Sequence, residues 1–163
     1  MNYSSIVYND NKTGFGIRTT LSVCGCCNDC AHCSNPLAKD PDYGKHFTDD
    51  DLTDIVRSLD DKFVNGLVIT GGDPLYPGNR QKICSIARTI KAIFGKEKSI
   101  LMYTGYSLQE IKSWDDPDVD ELLNYVDIIF EGRDSHSPKH KRCFEVYHEK
   151  TENTFRELYM RDI

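Results

Sequence analysis

No run of apolar residues in this chain is long enough to cross a bilayer, and Met1-Asn2-Tyr3-Ser4-Ser5 lacks the charged and apolar regions of a secretory signal. Neither membrane insertion nor export is expected, and the cytoplasm is the expected compartment. Positive charge is also scarce: 20 Lys and Arg face 26 Asp and Glu, a net charge of −6. Neutralising phosphates requires Lys and Arg clustered on one face, so a general nucleic-acid binder is excluded. The composition of a disordered chain is missing as well. Of the 163 residues 39% are hydrophobic, enough for one ordinary core, and a single domain over residues 1–163 is expected, with a basic tail from about residue 133.

Cysteine, by contrast, is concentrated. The chain has 7 cysteines, and five of them (Cys24, Cys26, Cys27, Cys30 and Cys33) lie between Ser22 and Cys33. In a reducing compartment such a group binds metal or does redox chemistry in preference to forming disulfides. Cys26, Cys30 and Cys33 read C-x3-C-x2-C, which lets one short loop offer three thiolates to a single iron–sulfur cubane. Electron-carrier clusters use four cysteines; three leave one iron open, which is what a metal site needs when substrate binds the metal directly. The spacing therefore points to a reactive cluster.

A structural zinc site is the competing reading, because Cys27-x2-Cys30 and Cys30-x2-Cys33 each supply half of one. The other half could come from His136, His140 and Cys143. Cys24 is more simply a small buried side chain ending a strand, and Cys27 and Cys84 are given no role. Arg133, Lys139, Lys141 and Arg142, with His136 and His140 among them, make the tail basic, which suits an acidic partner or phosphate, or else a solvated turn. The acidic runs Asp49-Asp50-Asp51 and Asp115-Asp116-Pro117-Asp118 sit where helices begin and read as caps.

Along the chain, Ile17, Thr19, Leu21 and Val23 alternate with Arg18, Thr20 and Ser22, the period of a half-buried strand that delivers the cysteine loop. Thr48 and Asp51 form a capping box ahead of Leu52, Ile55, Val56 and Leu59 at helical spacing. Gly66-Leu67-Val68-Ile69-Thr70 reads as a strand buried on both faces and ends at Gly71-Gly72-Asp73-Pro74. A second amphipathic helix carries Ile83, Ile86, Ala87, Ile90, Ile93 and Phe94 and stops at Gly95. Ser99–Tyr103 is a strand turning at Thr104-Gly105-Tyr106 into a helix capped by Ser107 and Glu110; a short helix holds Leu122 and Leu123; Val126–Phe130 is a last strand, ending at Glu131-Gly132-Arg133.

This alternation implies βαβ units, hence an α/β fold with a parallel sheet and helices on its outer face. A closed (β/α)8 barrel needs about 250 residues, so an incomplete barrel, open on one side, is expected. Active sites of such folds lie at the carboxyl ends of strands, where all four unusual stretches fall.

The cysteine motif followed one strand later by Gly71-Gly72-Asp73-Pro74 resembles the radical S-adenosylmethionine superfamily. Within it, Met1-Asn2-Tyr3, Gly14-x-Gly16-x-Arg18, Leu67–Pro77 and Thr104-Gly105-Tyr106 resemble the activating proteins of anaerobic (class III) ribonucleoside-triphosphate reductases. The resemblance runs in order from Met1 to about Arg133. It implies an incomplete radical S-adenosylmethionine barrel in which Cys26, Cys30 and Cys33 hold a [4Fe–4S] cluster. The methionine end of S-adenosylmethionine chelates the open iron. Reductive cleavage gives methionine and a 5′-deoxyadenosyl radical, which takes hydrogen from a reductase glycine.

By the same resemblance Gly71, Gly72 and Asp73 sit against the methionine amino group, and His32, Cys33 and Ser34 contact the adenosine part. Asn35 is either a further cofactor contact or a cap of the next segment, and Thr104 either faces the pocket or caps its turn. The resemblance also implies the reductase as partner and a low-potential electron donor such as flavodoxin. The cluster and cofactor carry the chemistry, so no catalytic side chain is nominated.

The departures from the family are Thr13 and Phe15 in place of Asn and Pro in an early turn, and Ser34 in place of an aromatic. After Arg133 the agreement fades. Other readings are a radical enzyme acting on another glycyl-radical enzyme or a small molecule, and a zinc-stabilised binding module without catalysis.

Overall fold

A computed structural model describes residues 1–133, 142–148 and 153–158. In chain order the elements are β1 (Asn2–Asp10), β2 (Ile17–Val23), a 3-10 turn (Pro36–Lys39), β3 (Lys45–His46), α1 (Asp49–Leu59), β4 (Val64–Gly71), α2 (Arg80–Phe94), β5 (Ser99–Thr104), α3 (Leu108–Lys112), α4 (Pro117–Leu122), β6 (Ile128–Glu131), β7 (Arg142–His148) and β8 (Asn153–Leu158).

The local signals act as expected. Thr48 and Asp51 form a capping box at α1, Ser107 and Glu110 form another at α3, and the Asp116 carboxylate accepts from the N–H groups of Asp118 and Val119 at the start of α4. Gly95, at φ +56°, ends α2.

The described strands form one open sheet in the order β3-β1-β2-β4-β5-β6-β7-β8. β2, β4, β5 and β6 are parallel, joined through helical crossovers. The wholly parallel sheet expected from the alternation is corrected at both edges, where β1, β3, β7 and β8 pair antiparallel. Chain segments that return directly can pair only antiparallel; parallel pairing needs a crossover. None of these four edge strands was foreseen.

Helices cover one face, where Ile55, Leu59, Ile83, Ile86 and Ile90 pack on Leu21, Leu67, Ile69, Ile100 and Met102. Each of these side chains is fully buried, worth about 1.5–3 kcal/mol apiece. The opposite face carries a second buried cluster, Val68, Leu101, Phe130 and Cys143, with Phe15 and Tyr103 packed against it. Tyr103 stacks on Phe130 at 4.2 Å and Phe15 lies 5.7 Å from the same ring.

This second core corrects the half-buried reading of β2, since Arg18 and Thr20, on the side expected to face solvent, are buried like Thr19. Arg18 Nε donates to Phe15 O at 2.6 Å and both Nη atoms reach Ser99 Oγ at 3.1 Å, while Thr20 Oγ1 donates to Asp10 at 2.7 Å. The polar side of β2 thus finds its partners in protein instead of water. No described helix is long and apolar enough to cross a membrane.

Candidate iron–sulfur site

The carboxyl ends of the parallel strands meet around one cavity. It is lined by Cys26, Cys30, Cys33 and Ser34 after β2, by Thr70–Asp73 at the end of β4, by Tyr103–Gly105 at the end of β5, and by Gly132 and Arg133 after β6. All four stretches singled out in the sequence therefore share one rim.

Main-chain bonds hold the start of the cysteine loop. Cys24 N–H donates to Asn2 O, Gly25 N–H to Ala38 O and Cys26 N–H to Lys39 O, at 2.8–3.1 Å. The Asn79 side-chain amide donates to Cys24 O at 2.8 Å and to Asp73 O at 3.1 Å, so the loop and the end of β4 are clasped by one residue. Gly72 permits this approach: a Cβ there would sit 2.5 Å from the carbonyl oxygens of Ala38 and Gly25.

Asp73 is buried, and its carboxylate is engaged on both oxygens. Oδ1 accepts from Leu75 N–H and Thr104 Oγ1, and Oδ2 from Gly105 N–H and the Asn28 amide, all at 2.9–3.0 Å. Burial pushes its pKa up, and the four donors pull against that shift. Burial likewise raises the Cys26 thiol, so binding of a metal there must displace the proton. Cys24, fully buried, is the strand-end side chain expected of it, while Cys27 is exposed and Cys84 buried in α2.

Of the residues expected at the site, Cys26, Cys30, Cys33, Ser34, Gly71, Gly72, Asp73 and Thr104 border the cavity. His32 is exposed and Asn35 stands at the start of the 3-10 turn without a side-chain cap bond; neither is among the lining residues. Thr104 does both things proposed for it, donating to Asp73 and accepting from Tyr106 N–H at 3.2 Å.

Three lining residues were not picked out in the sequence. Thr70 and Tyr103 looked like further strand residues. Asn28 could have been suspected only from its place midway between Cys26 and Cys30.

The donor set suits a cluster. Among the described residues no three His, Cys, Asp or Glu side chains are grouped to hold a single metal ion. The cysteines of a cubane bind separate irons, and Cys26, Cys30 and Cys33 all border the cavity. His136 and His140, the other half of the zinc reading, lie outside the described residues, and Cys143 is buried in β7 opposite Phe130.

A family model described as a 4Fe-4S single cluster domain matches residues 12–150. An anaerobic ribonucleoside-triphosphate reductase-activating protein of Enterobacteria phage T4 is 38% identical over 133 residues, covering 82% of this chain and 81% of that one. The chain belongs to the reductase-activating protein family. Proteins of the same name from Vibrio cholerae and Escherichia coli K12 are 31% and 33% identical over 135 residues, covering 82% of this chain and 84% of theirs. Within this activating-protein family the chain carries an iron–sulfur cluster domain, and the match extends past Arg133, where the family motifs fade in the sequence.

Proposed function

We propose that this chain activates an anaerobic ribonucleoside-triphosphate reductase by installing a glycyl radical on it, using a [4Fe–4S] cluster and S-adenosylmethionine. The observation that carries the reading is the convergence of Cys26, Cys30 and Cys33 with Gly71-Gly72-Asp73 on one cavity. With both groups bound, and one electron fed in by a low-potential donor such as flavodoxin, they would supply reductive cleavage of the S-adenosylmethionine carbon–sulfur bond and abstraction of a hydrogen atom from a reductase glycine, with methionine and 5′-deoxyadenosine as the products.

The chain's own part is binding and exclusion. Cys26, Cys30 and Cys33 would hold a [4Fe–4S] cluster as thiolates, one coordination position short of four cysteines. Gly71 and Gly72 let the end of β4 pack directly on the main chain of Val23, Gly25 and Ala38, which fixes the strand end against which the methionine amino group would lie, and buried Asp73 supplies negative charge beside a cationic cofactor. Ser34 and His32 would contact the adenosine part, with Asn35 following them, and Thr104 faces the pocket beside Asp73. The sheet acts as the incomplete barrel of a radical S-adenosylmethionine protein, and its open side admits the reductase's glycine loop, which closes the cavity to water on docking. The cytoplasm supplies the reducing surroundings that the thiolates need.

The test is electron paramagnetic resonance of anaerobically reconstituted, reduced protein with and without S-adenosylmethionine, followed by assay for a glycyl radical on the reductase. A cubane signal that changes with the cofactor, and a radical that depends on both, are expected. Zinc without iron, or a cluster indifferent to the cofactor, overturns the proposal.

A further inference from the structure

Asn28 lies between two of the expected cluster ligands, two residues from Cys26 and two from Cys30, yet it is buried, with 7% exposure. Its side-chain amide donates to Asp73 Oδ2 at 3.0 Å, and its own N–H points at Cys26 Sγ at 3.4 Å. One residue thus ties the middle of the cysteine loop to the end of β4 and aims a main-chain donor at a ligand sulfur. The fold also keeps room for it. Gly105 N–H donates to the same Oδ2 at 2.9 Å, and a Cβ on Gly105 would stand 2.4 Å from Asn28 Nδ2. Glycine at 105 is therefore what lets two donors share one carboxylate oxygen.

We infer that Asn28 is a positioning residue that locks the three-cysteine loop onto the Gly-Gly-Asp strand end and sets the reduction potential of the cluster held there. This rests on the functional reading above. The geometry has two consequences. A hydrogen bond to a ligand sulfur stabilises negative charge on it and favours the reduced cluster, so loosening residue 28 makes the cluster harder to reduce. The same loop faces Asp73 and the Gly71–Gly72 end of β4 across the cavity, so a loop that drifts also misplaces the open iron relative to the cofactor's methionine end. Groups that orient metal ligands from outside the coordination sphere typically govern affinity or activity by about 10–100-fold.

The experiment compares Asn28→Ala, Asn28→Asp and Gly105→Ala with the wild type, all reconstituted anaerobically. Readouts are iron content, the potential from redox poising with electron paramagnetic resonance detection, and the cofactor concentration that half-converts the cluster signal. Because all three cysteines remain, each variant is expected to load iron. Each is expected to have a more negative potential and to need about ten-fold more S-adenosylmethionine. Asn28→Asp, which sets a carboxylate against Asp73, is expected to exceed Asn28→Ala in both.

Wild-type potential and cofactor response in Asn28→Ala and Gly105→Ala overturn the inference. Should Asn28→Ala fail to hold iron, Gly105→Ala decides, since it disturbs the same contact with Asn28 intact: a wild-type potential there overturns the inference, and a lowered one supports it. A wild type that forms no cluster, or one indifferent to the cofactor, refutes the functional reading itself, an outcome the variants cannot mimic.

Discussion

Thr104 Oγ1 donates to Asp73 Oδ1 at 2.9 Å, joining the carboxyl ends of the neighbouring parallel strands β4 and β5 beneath the cysteine loop. Both side chains are buried, so this bond cannot be exchanged for one to water. Thr104→Val keeps the shape, removes the donor and leaves a buried carboxylate under-satisfied. It should destabilise the cluster-free protein by about 1–3 kcal/mol in denaturant unfolding, whereas Thr104→Ser, which keeps the hydroxyl donor, should retain most of the wild-type stability.

Cys26→Ala, Cys30→Ala and Cys33→Ala should each abolish S-adenosylmethionine cleavage, because each removes one of the three thiolates around the cavity. Cys24→Ala, at a fully buried strand end, should leave substantial cleavage. Iron and sulfide analysis beside a cleavage assay separates the two classes, and normal cleavage in any of the first three would refute the ligand assignment.

Gly72→Ala places a methyl 2.5 Å from two main-chain carbonyl oxygens, those of Ala38 and Gly25, which are fixed by the bonds that clasp the loop to β4. Neither can swing aside as a side-chain end would. A loss of about 1–3 kcal/mol is expected in unfolding experiments, together with poor cluster retention.

Asp51 links α1 to β1. Burial raises its pKa, but bonds from Thr48 N–H at 2.7 Å, Thr48 Oγ1 at 2.8 Å and the Tyr3 hydroxyl at 2.8 Å outweigh it and hold the carboxyl below its ordinary 3.8. A depressed folded-state pKa contributes stability that is fully present above the unfolded value and lost as pH falls through the folded one. Asp51→Asn should therefore be about 1 kcal/mol less stable than wild type at neutral pH. In acid unfolding that difference should shrink as the pH drops below 3.8.

Most of what was legible in the sequence is local. Caps at Thr48, Ser107 and Asp116, the stop at Gly95 and the periodicities of α1 and α2 act within a turn or two of chain, so the elements that deliver the rim were readable one by one. The cysteine spacing was readable for the same reason: three thiols in one loop need no distant partner to be recognised as a set.

The edge strands were not legible. Tyr3, Ile6 and Val7 belong to a strand only because β2 lies beside them, and Phe144 and Glu145 only because β6 does. The alternation in β2 was misread for a related reason, since a polar side is exposed only if nothing covers it, and Phe15 and Asp10 supply that cover from outside the strand.

The sequence by itself determined the three-cysteine loop and the strand ends that border the cavity, because spacing and short-range hydrogen bonding dictate both. Only the tertiary structure decided that Asn28 would meet Asp73, 45 residues on, over a glycine at 105 with no side chain to intervene. A contact of that kind depends on how separate strands are brought side by side, and no periodicity along the chain records it.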